Sequence, residues 1–422
     1  MTAGHVRRIP FLTFVTGLVL GVAPGTAEQA EILAIAAREG GSVIMFDPHP
    51  LRTQSDEGNL SGPVTVGYDH ACGLTDDGEA LCWGRNRFGQ IGSRGPSAVT
   101  SPTSASESWR FEFVSAGRFL TCGLSGGQAV CWGSNRFGGL GQGDFVEVAG
   151  PVAVEGEMRF VSVSVGEEHA CGLADTGQAY CWGNNHYSRL GEGTEQNRNS
   201  PTAVLGEHSF STLSTGYQHA CALTHDGATY CWGADYAGQI GHGERVVRDT
   251  PTEPSPRIVA GDQRFVSLSA GYNATCALTE DGSAFCWGVN HAGTLGDGTN
   301  ELRLRPTPVG GGLRFRSLSV GHFHACGIGT DGTTYCWGAN DRGQIGDGSR
   351  THRNLPVAVE TADEVFEFVE AGGYRTCGVT SDGAAFCWGR NPTEGSLWET
   401  GSDQLRPTRV PTAASFARPP WR

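Results

Sequence analysis

The sequence predicts an all-β protein: a seven-bladed β-propeller of four-stranded antiparallel blades, with one disulfide inside each blade. Three observations carry this reading. The tripeptide Cys-Trp-Gly recurs seven times, at Cys82, Cys131, Cys181, Cys231, Cys286, Cys336 and Cys387, in steps of 49, 50, 50, 55, 50 and 51 residues. Each unit holds four short strand-like stretches separated by turn residues, the pattern of a propeller blade. Each of those Cys has a second Cys nine or ten residues before it, which makes seven pairs: Cys72/Cys82, Cys122/Cys131, Cys171/Cys181, Cys221/Cys231, Cys276/Cys286, Cys326/Cys336 and Cys377/Cys387.

The composition agrees. Hydrophobic residues make up 38% of the 422, and 64 glycines supply many turns. Charged residues are only 18%, which excludes a highly charged disordered chain. The net charge of −14 argues against nucleic acid as a partner, because a phosphate grip needs clustered cations. All 30 cationic residues are Arg. That excludes phosphate-loop, Schiff-base and Ser-Lys lysine chemistry.

The N-terminus reads as a signal peptide, residues 1–27. Arg7 and Arg8 precede an apolar stretch from Ile9 to Ala23, and Gly25-Thr26-Ala27 offers small residues for cleavage. No later segment is long and apolar enough to span a membrane as a helix, so the mature chain is expected to carry no integral span. Residues 28–60 form a lead segment, helical in character from Glu28 to Arg38. The propeller occupies 61–416, and 417–422 are a tail.

The third unit shows the blade. Phe160 to Val165 alternates as a strand, and Gly166 turns the chain. His169 to Leu173 is the second strand, Ala179 to Trp182 the third, and Pro201 to Val204 the fourth. If each Cys pair lies directly across the central hairpin, ten-residue spacing leaves a three-residue loop such as Asp76-Asp77-Gly78. Its last position needs a left-handed backbone, and Gly78, Gly177, Gly227, Gly282, Gly332 and Gly383 all stand there. The nine-spaced pair shortens the loop to Gly126-Gly127, a favoured two-residue turn. Directly opposed strand residues lie within disulfide reach, so seven disulfides are expected, each stabilising by roughly 2–3 kcal/mol. No pair has the C-x-x-C spacing of zinc ribbons or redox motifs.

Closure is legible at the chain ends. Ala105/Phe111, Val154/Phe160, Val204/Phe210 and Val309/Phe315 share one spacing, and Val410/Phe416 repeats it. The first unit has Ser61 where this Phe would fall. Phe416 is therefore expected to complete the blade that Val64-Thr65-Val66 opens. The one long step is assigned to an insertion between Pro254 and Phe265, expected as a surface loop.

With these motifs in hand, the units resemble repeats of the regulator of chromosome condensation family. The matching segments are Gly216-Tyr217-Gln218-His219, Leu223-Thr224-His225-Asp226-Gly227 and the run from Trp337-Gly338-Ala339-Asn340 to Gly343-Gln344-Ile345-Gly346. The resemblance covers about residues 61–416 and implies a seven-bladed propeller. The Cys pairs depart from the best-known eukaryotic members and fit an exported bacterial-type branch.

Catalysis has no positive support, and no cofactor or metal is expected. His70, His169, His219 and His324 recur at one repeat position in separate blades, which suits structural hydrogen bonding rather than a metal site. Asp297-Gly298 and Asp347-Gly348 lack the spaced oxygen ligands of a calcium loop. The recurring Trp residues are expected in core or inter-blade packing. No nucleophile elbow, His-Glu-x-x-His or phosphate loop is present. The leading function is an exported scaffold, secreted or in the cell envelope and monomeric, that binds a protein partner through loops on one face. The alternative is guanine-nucleotide exchange on a small GTPase, as the resemblance to the family's eukaryotic founder implies. Tyr68, Phe119, Tyr217, Tyr272, Phe323 and Tyr374, in the variable middle of the Gly-x-x-His turns, are the candidate partner-binding residues. The same aromatics equally suit packing on neighbouring turns or lining the channel mouth. A second candidate set, Phe88, Phe137, Tyr187 and Tyr236, is expected on the opposite rim.

Overall fold

Alternation of small and branched residues forms the strands, and the computed structural model arranges them as seven four-stranded antiparallel sheets. Residues 63–93, 95–244, 252–390, 403–412 and 414–417 are described. The expected signal peptide 1–27, the lead segment 28–60 and residues 418–422 lie outside them. Within a blade the strands follow chain order: in the third they are Phe160–Val165, His169–Ala174, Ala179–Gly183 and Arg198–Ala203. The first strand of every blade lines a central channel.

The hairpin register is the one the cysteine spacing requires. Cys171 pairs with Cys181 across the second and third strands, and the other six pairs repeat this. All seven disulfides are formed, with Cα atoms 4.0–4.1 Å apart, as at a non-hydrogen-bonded antiparallel position. Gly78 takes φ +79° at the last loop position, and Gly126 and Gly127 take +60° and +81° in the shortened turn.

The core lies between the blades. Seven apolar clusters each join two neighbouring blades, and the last joins blade seven to blade one. The Cys-Trp-Gly tryptophan is central to this contact. Trp132 Nε1 donates to the Gln90 carbonyl of the preceding blade at 3.0 Å, and Trp287 donates to the Gln239 carbonyl at 3.0 Å. The glycine ending the preceding blade's loop lies against the ring: a Cβ on Gly241 would come within 2.5 Å of Trp287 Nε1. The two ends of the repeat motif thus interlock at the blade boundaries from Trp182 to Trp388.

Two rings tie the inner strands together around the axis. In the first, one side chain per blade accepts the backbone N–H of the next. Thr65 accepts from Ala116, Ser115 from Val165, Ser164 from Thr215, Ser214 from Ala270, Ser269 from Val320, Ser319 from Ala371 and Glu370 from Val66, all at 2.9–3.1 Å. The second ring is made by the glycines that open the Gly-x-x-His turns. A Cβ on Gly117 would lie 1.9 Å from the Gly166 carbonyl oxygen, and Gly67, Gly166, Gly216, Gly271, Gly321 and Gly372 meet their neighbours at 2.1–2.5 Å. Only glycine permits this approach.

Closure uses Phe416. It bridges Thr75 in antiparallel fashion, its N–H donates to the Gly383 carbonyl, and its ring lies 6.0 Å from Trp83. The same Phe–Trp pair recurs inside the other blades, as Phe160 with Trp182 at 5.9 Å. The long repeat step requires a correction. Val259 and Phe265 hold the ordinary six-residue spacing, and their N–H groups bond to Thr229 and Gly227 as Val204 and Phe210 bond to Ala179 and Gly177. Gly233, however, pairs with Glu253 where Gly183 pairs with Arg198. The extra residues therefore precede Thr252, in a stretch whose residues 245–251 lie outside those described, and not between Pro254 and Phe265.

The recurring histidines are inter-blade struts. His70, His219 and His324 bond through Nε2 to Thr121, Thr275 and Thr376 of the following blade at 2.7, 2.9 and 2.9 Å. Burial pushes all three down to about 3, so they are neutral. Where the position holds Leu120, Ala274 or Arg375, the following blade has Ala170, Ala325 or Ala71 in place of the threonine. His169 is the exception. It faces Ala220, and both of its ring nitrogens are buried without a hydrogen-bond partner. Ala220→Thr should supply the missing partner and raise the unfolding free energy by about 0.5–1.5 kcal/mol. Thr376→Ala should lower it by about 1–3 kcal/mol, because it orphans His324. Urea unfolding of the two variants checks both signs.

Candidate functional site

The Gly-x-x-His turns emerge at one end of the channel, and their two middle positions face different ways. The first position lines the channel: Tyr68, Arg118, Glu167, Tyr217, Tyr272 and His322, with Gly373 in the seventh blade. The second position, which includes Phe119, Phe323 and Tyr374, does not line it.

The first-position side chains meet on the axis and plug the channel mouth. His322 is the hub. Its ring centroid lies 3.9 Å from Tyr272, 4.7 Å from Tyr68 and 5.4 Å from Tyr217. Tyr217 and Tyr272 pack tilted against each other at 4.2 Å. Arg118 is the second hub, with its guanidinium 5.0 Å from the Tyr68 ring centre and 4.7 Å from that of Phe119. It pairs with Glu167 at 2.6 Å and donates to the Tyr217 hydroxyl. Burial and the Glu167 carboxylate push the Tyr217 phenol upward, and burial raises that of Tyr68 to about 12. Burial and the Arg118 charge hold His322 neutral, well below the ordinary imidazole range. Arg189, fully buried, reaches Glu167 at 3.5 Å and donates to the His186 carbonyl at 2.8 Å. The plug is thus an aromatic cluster with an internal Arg–Glu–Arg charge group.

The six aromatics singled out in the sequence divide accordingly. Tyr68, Tyr217 and Tyr272 are in the plug. Phe323 flanks it, 5.3 Å from Tyr272, and Tyr374 lies 5.9 Å from Tyr68. Phe119 carries the cluster outward to Phe88 at 4.8 Å. Sequence reasoning missed Arg118, Glu167 and His322 as site residues, although they occupy the first variable position. Phe88, Tyr187 and Tyr236 of the second candidate set are not on the opposite rim. Phe88 packs on Phe119, and the Tyr236 hydroxyl donates to the Asn273 amide oxygen at 2.7 Å, with the Gln218 side chain 3.0 Å away, both second-position turn residues. Tyr187 lies 5.9 Å from Tyr236. Phe88, Tyr187 and Tyr236 stand beside the plug on the same face because the Trp-Gly loops that carry them fold back over the turns. Phe88 is 38% exposed and Tyr236 42%.

Among the described residues no group of three His, Cys, Asp or Glu is arranged to hold a metal. Asp297 is a loop staple: it accepts from Asn290 at 3.0 Å and from Arg303 at 2.7 Å. Among the described residues no helix is long and apolar enough to cross a membrane.

The seven blades, the Trp–Gly interlock and the disulfide-closed hairpins define a propeller of regulator of chromosome condensation repeats. The RCC1-like domain family matches residues 155–419, and the RCC1 repeat matches 64–90 and 127–173. The chain belongs to the RCC1-like domain family. Among solved structures it is similar to human WBSCR16, with 22% identity, a TM-score of 0.66, and coverage of 75% of this chain and 85% of that one. It is also similar to Prp20p from Saccharomyces cerevisiae, at 21% identity and TM-score 0.67, over 74% and 80% of the two chains. The ectodomain of the Physcomitrella patens receptor kinase CR4 matches at 22% identity and TM-score 0.51, over 78% and 73%. At these identities the likeness concerns the fold. No curated protein matches the chain.

Centre and rim should respond differently to truncation. Tyr217→Ala removes two ring contacts and the Arg118 contact, and should cost about 1–3 kcal/mol of stability. Phe88→Ala, on the exposed rim, should cost less than about 1 kcal/mol. Denaturant midpoints of the two variants measure the difference.

Proposed function

We propose that this protein is an exported scaffold, binding rather than catalytic, that engages a protein partner through the plugged face of the propeller. One observation carries the reading: exposed Phe88 and Tyr236 stand on the rim of a face whose centre is a rigid aromatic and arginine cluster. Aromatics and Arg dominate binding hot spots, and rigid anchors lose little entropy on binding. Seven disulfides fit an oxidising, extracellular or envelope compartment.

Nucleotide exchange on a small GTPase is the second reading. Yeast Prp20p binds Gsp1p and histones. Exchange on a cytosolic or nuclear GTPase would place this chain where disulfides are reduced. Denatured protein without reductant should therefore show no Ellman-reactive thiol, and all 14 Cys should react after reduction. Full reactivity before reduction would favour the exchange reading.

The binding reading is tested by capture from native envelope or medium, followed by Phe88→Ala and Tyr236→Ala. Each should weaken capture of the isolated partner by about 1–3 kcal/mol, at a temperature where both variants remain folded. Unaltered affinity in the double variant would show that the partner does not use this face.

A further inference from the structure

Beneath the plug the channel holds a cavity of about 460 Å³, walled by the inner strands and open at one end. That size is in the range of small-molecule sites. Its charged groups are nearly all answered from within. Arg118 and Arg189 face Glu167 at the plug, and Arg316 pairs with Glu367 at 3.2 Å nearer the far end of the strands. Glu370 is different. It lines the cavity, and among the described residues no cation lies within ion-pair distance of it. Its Oε1 accepts from the Val66 N–H at 3.0 Å and the Thr65 hydroxyl at 3.1 Å.

The structural task at this position does not need a charge. In the other six blades a Ser or Thr hydroxyl accepts the equivalent N–H. A carboxylate out of reach of a cation costs free energy that a serine there would avoid. Burial accordingly raises Glu370 to about 7.

We propose that the channel is a binding site for a small aliphatic amine, whose ammonium group pairs with Glu370 and whose remaining donors reach the serine hydroxyls of the wall. A metal ion is the poorer occupant, because a single carboxylate serves a volume many times that of an ion. The site is separate from the partner-binding face proposed above, and neither depends on the other.

Calorimetric titration of the full chain with 1,4-diaminobutane, and with 1,4-butanediol as the neutral analogue, tests this. Measurement at pH 8.5 keeps Glu370 ionised, and about 0.3 M salt screens binding to the acidic surface. The diamine should bind saturably at one site, Glu370→Gln should weaken it at least tenfold, and the diol should not bind. Glu370→Gln keeps an oxygen for the Val66 N–H. Should it misfold, Glu370→Ser repeats the residue used in most other blades and serves in its place. Equal affinity in the folded variant, equal binding of the diol, or no saturable binding of the diamine would each overturn the proposal.

Discussion

Seven inner strands converge on one axis, and the close approach of their turn glycines governs the rest of the fold. Each glycine Cα lies against the next blade's carbonyl oxygen, at a distance no side chain tolerates. A propeller leaves the inner edge of every sheet without a strand partner, and an unpaired buried amide is costly. The ring of Thr65, five serines and Glu370 answers one such amide per blade, and it does so from the neighbouring blade. The inner edges are therefore satisfied only when the circle is complete. That makes Phe416, which seats the C-terminal segment on the first blade, a condition of the whole ring and not a local contact.

Further from the axis, the blades hold each other through the Trp–Gly interlock. From Trp132 to Trp388 each of these tryptophans packs into the loop of the blade before it, so these repeats do not bury their own cores alone. The disulfides act inside this frame. They clamp the central hairpin of each blade and hold the Cys-Trp-Gly strand at the register that presents the tryptophan. The His–Thr struts add a third link at some boundaries and are absent at others. At two boundaries, Leu120 against Ala170 and Ala274 against Ala325, apolar pairs fill the strut position without a polar group to satisfy.

The functional face follows from the same geometry. Because the glycine ring is narrow, the first residue after each glycine is forced toward the axis, where seven positions share little room. Large rings there must pack tilted or edge-on against one another, which produces the Tyr68–His322–Tyr272–Tyr217 cluster, and Gly373 relieves the crowding in the seventh blade. The second residue is directed outward, where Phe119 meets the Trp-Gly loop of the first blade at Phe88. One short turn thus supplies both the rigid centre and the link to the exposed rim.

The propeller, its seven blades, the hairpin register, the disulfide pairing and the closing role of Phe416 were legible in the sequence. All of them are periodic or local properties: a repeated Cys-Trp-Gly, a ten-residue spacing, a glycine where a left-handed residue must sit. The insertion was misplaced because spacing alone cannot say on which side of an outer strand extra residues fall; the pairing of Gly233 with Glu253 decides it. The candidate aromatics were visible, but not their division into plug and flank, nor that the Phe88 and Tyr236 rim shares their face. Arg118, Glu167 and His322 lie about fifty residues or more apart in the chain and meet only on the axis, so their chemistry is absent from any local window. The lone carboxylate of Glu370 is of the same kind. A sequence records which residue each repeat holds, whereas a ring closed by tertiary contacts decides which of them face one another.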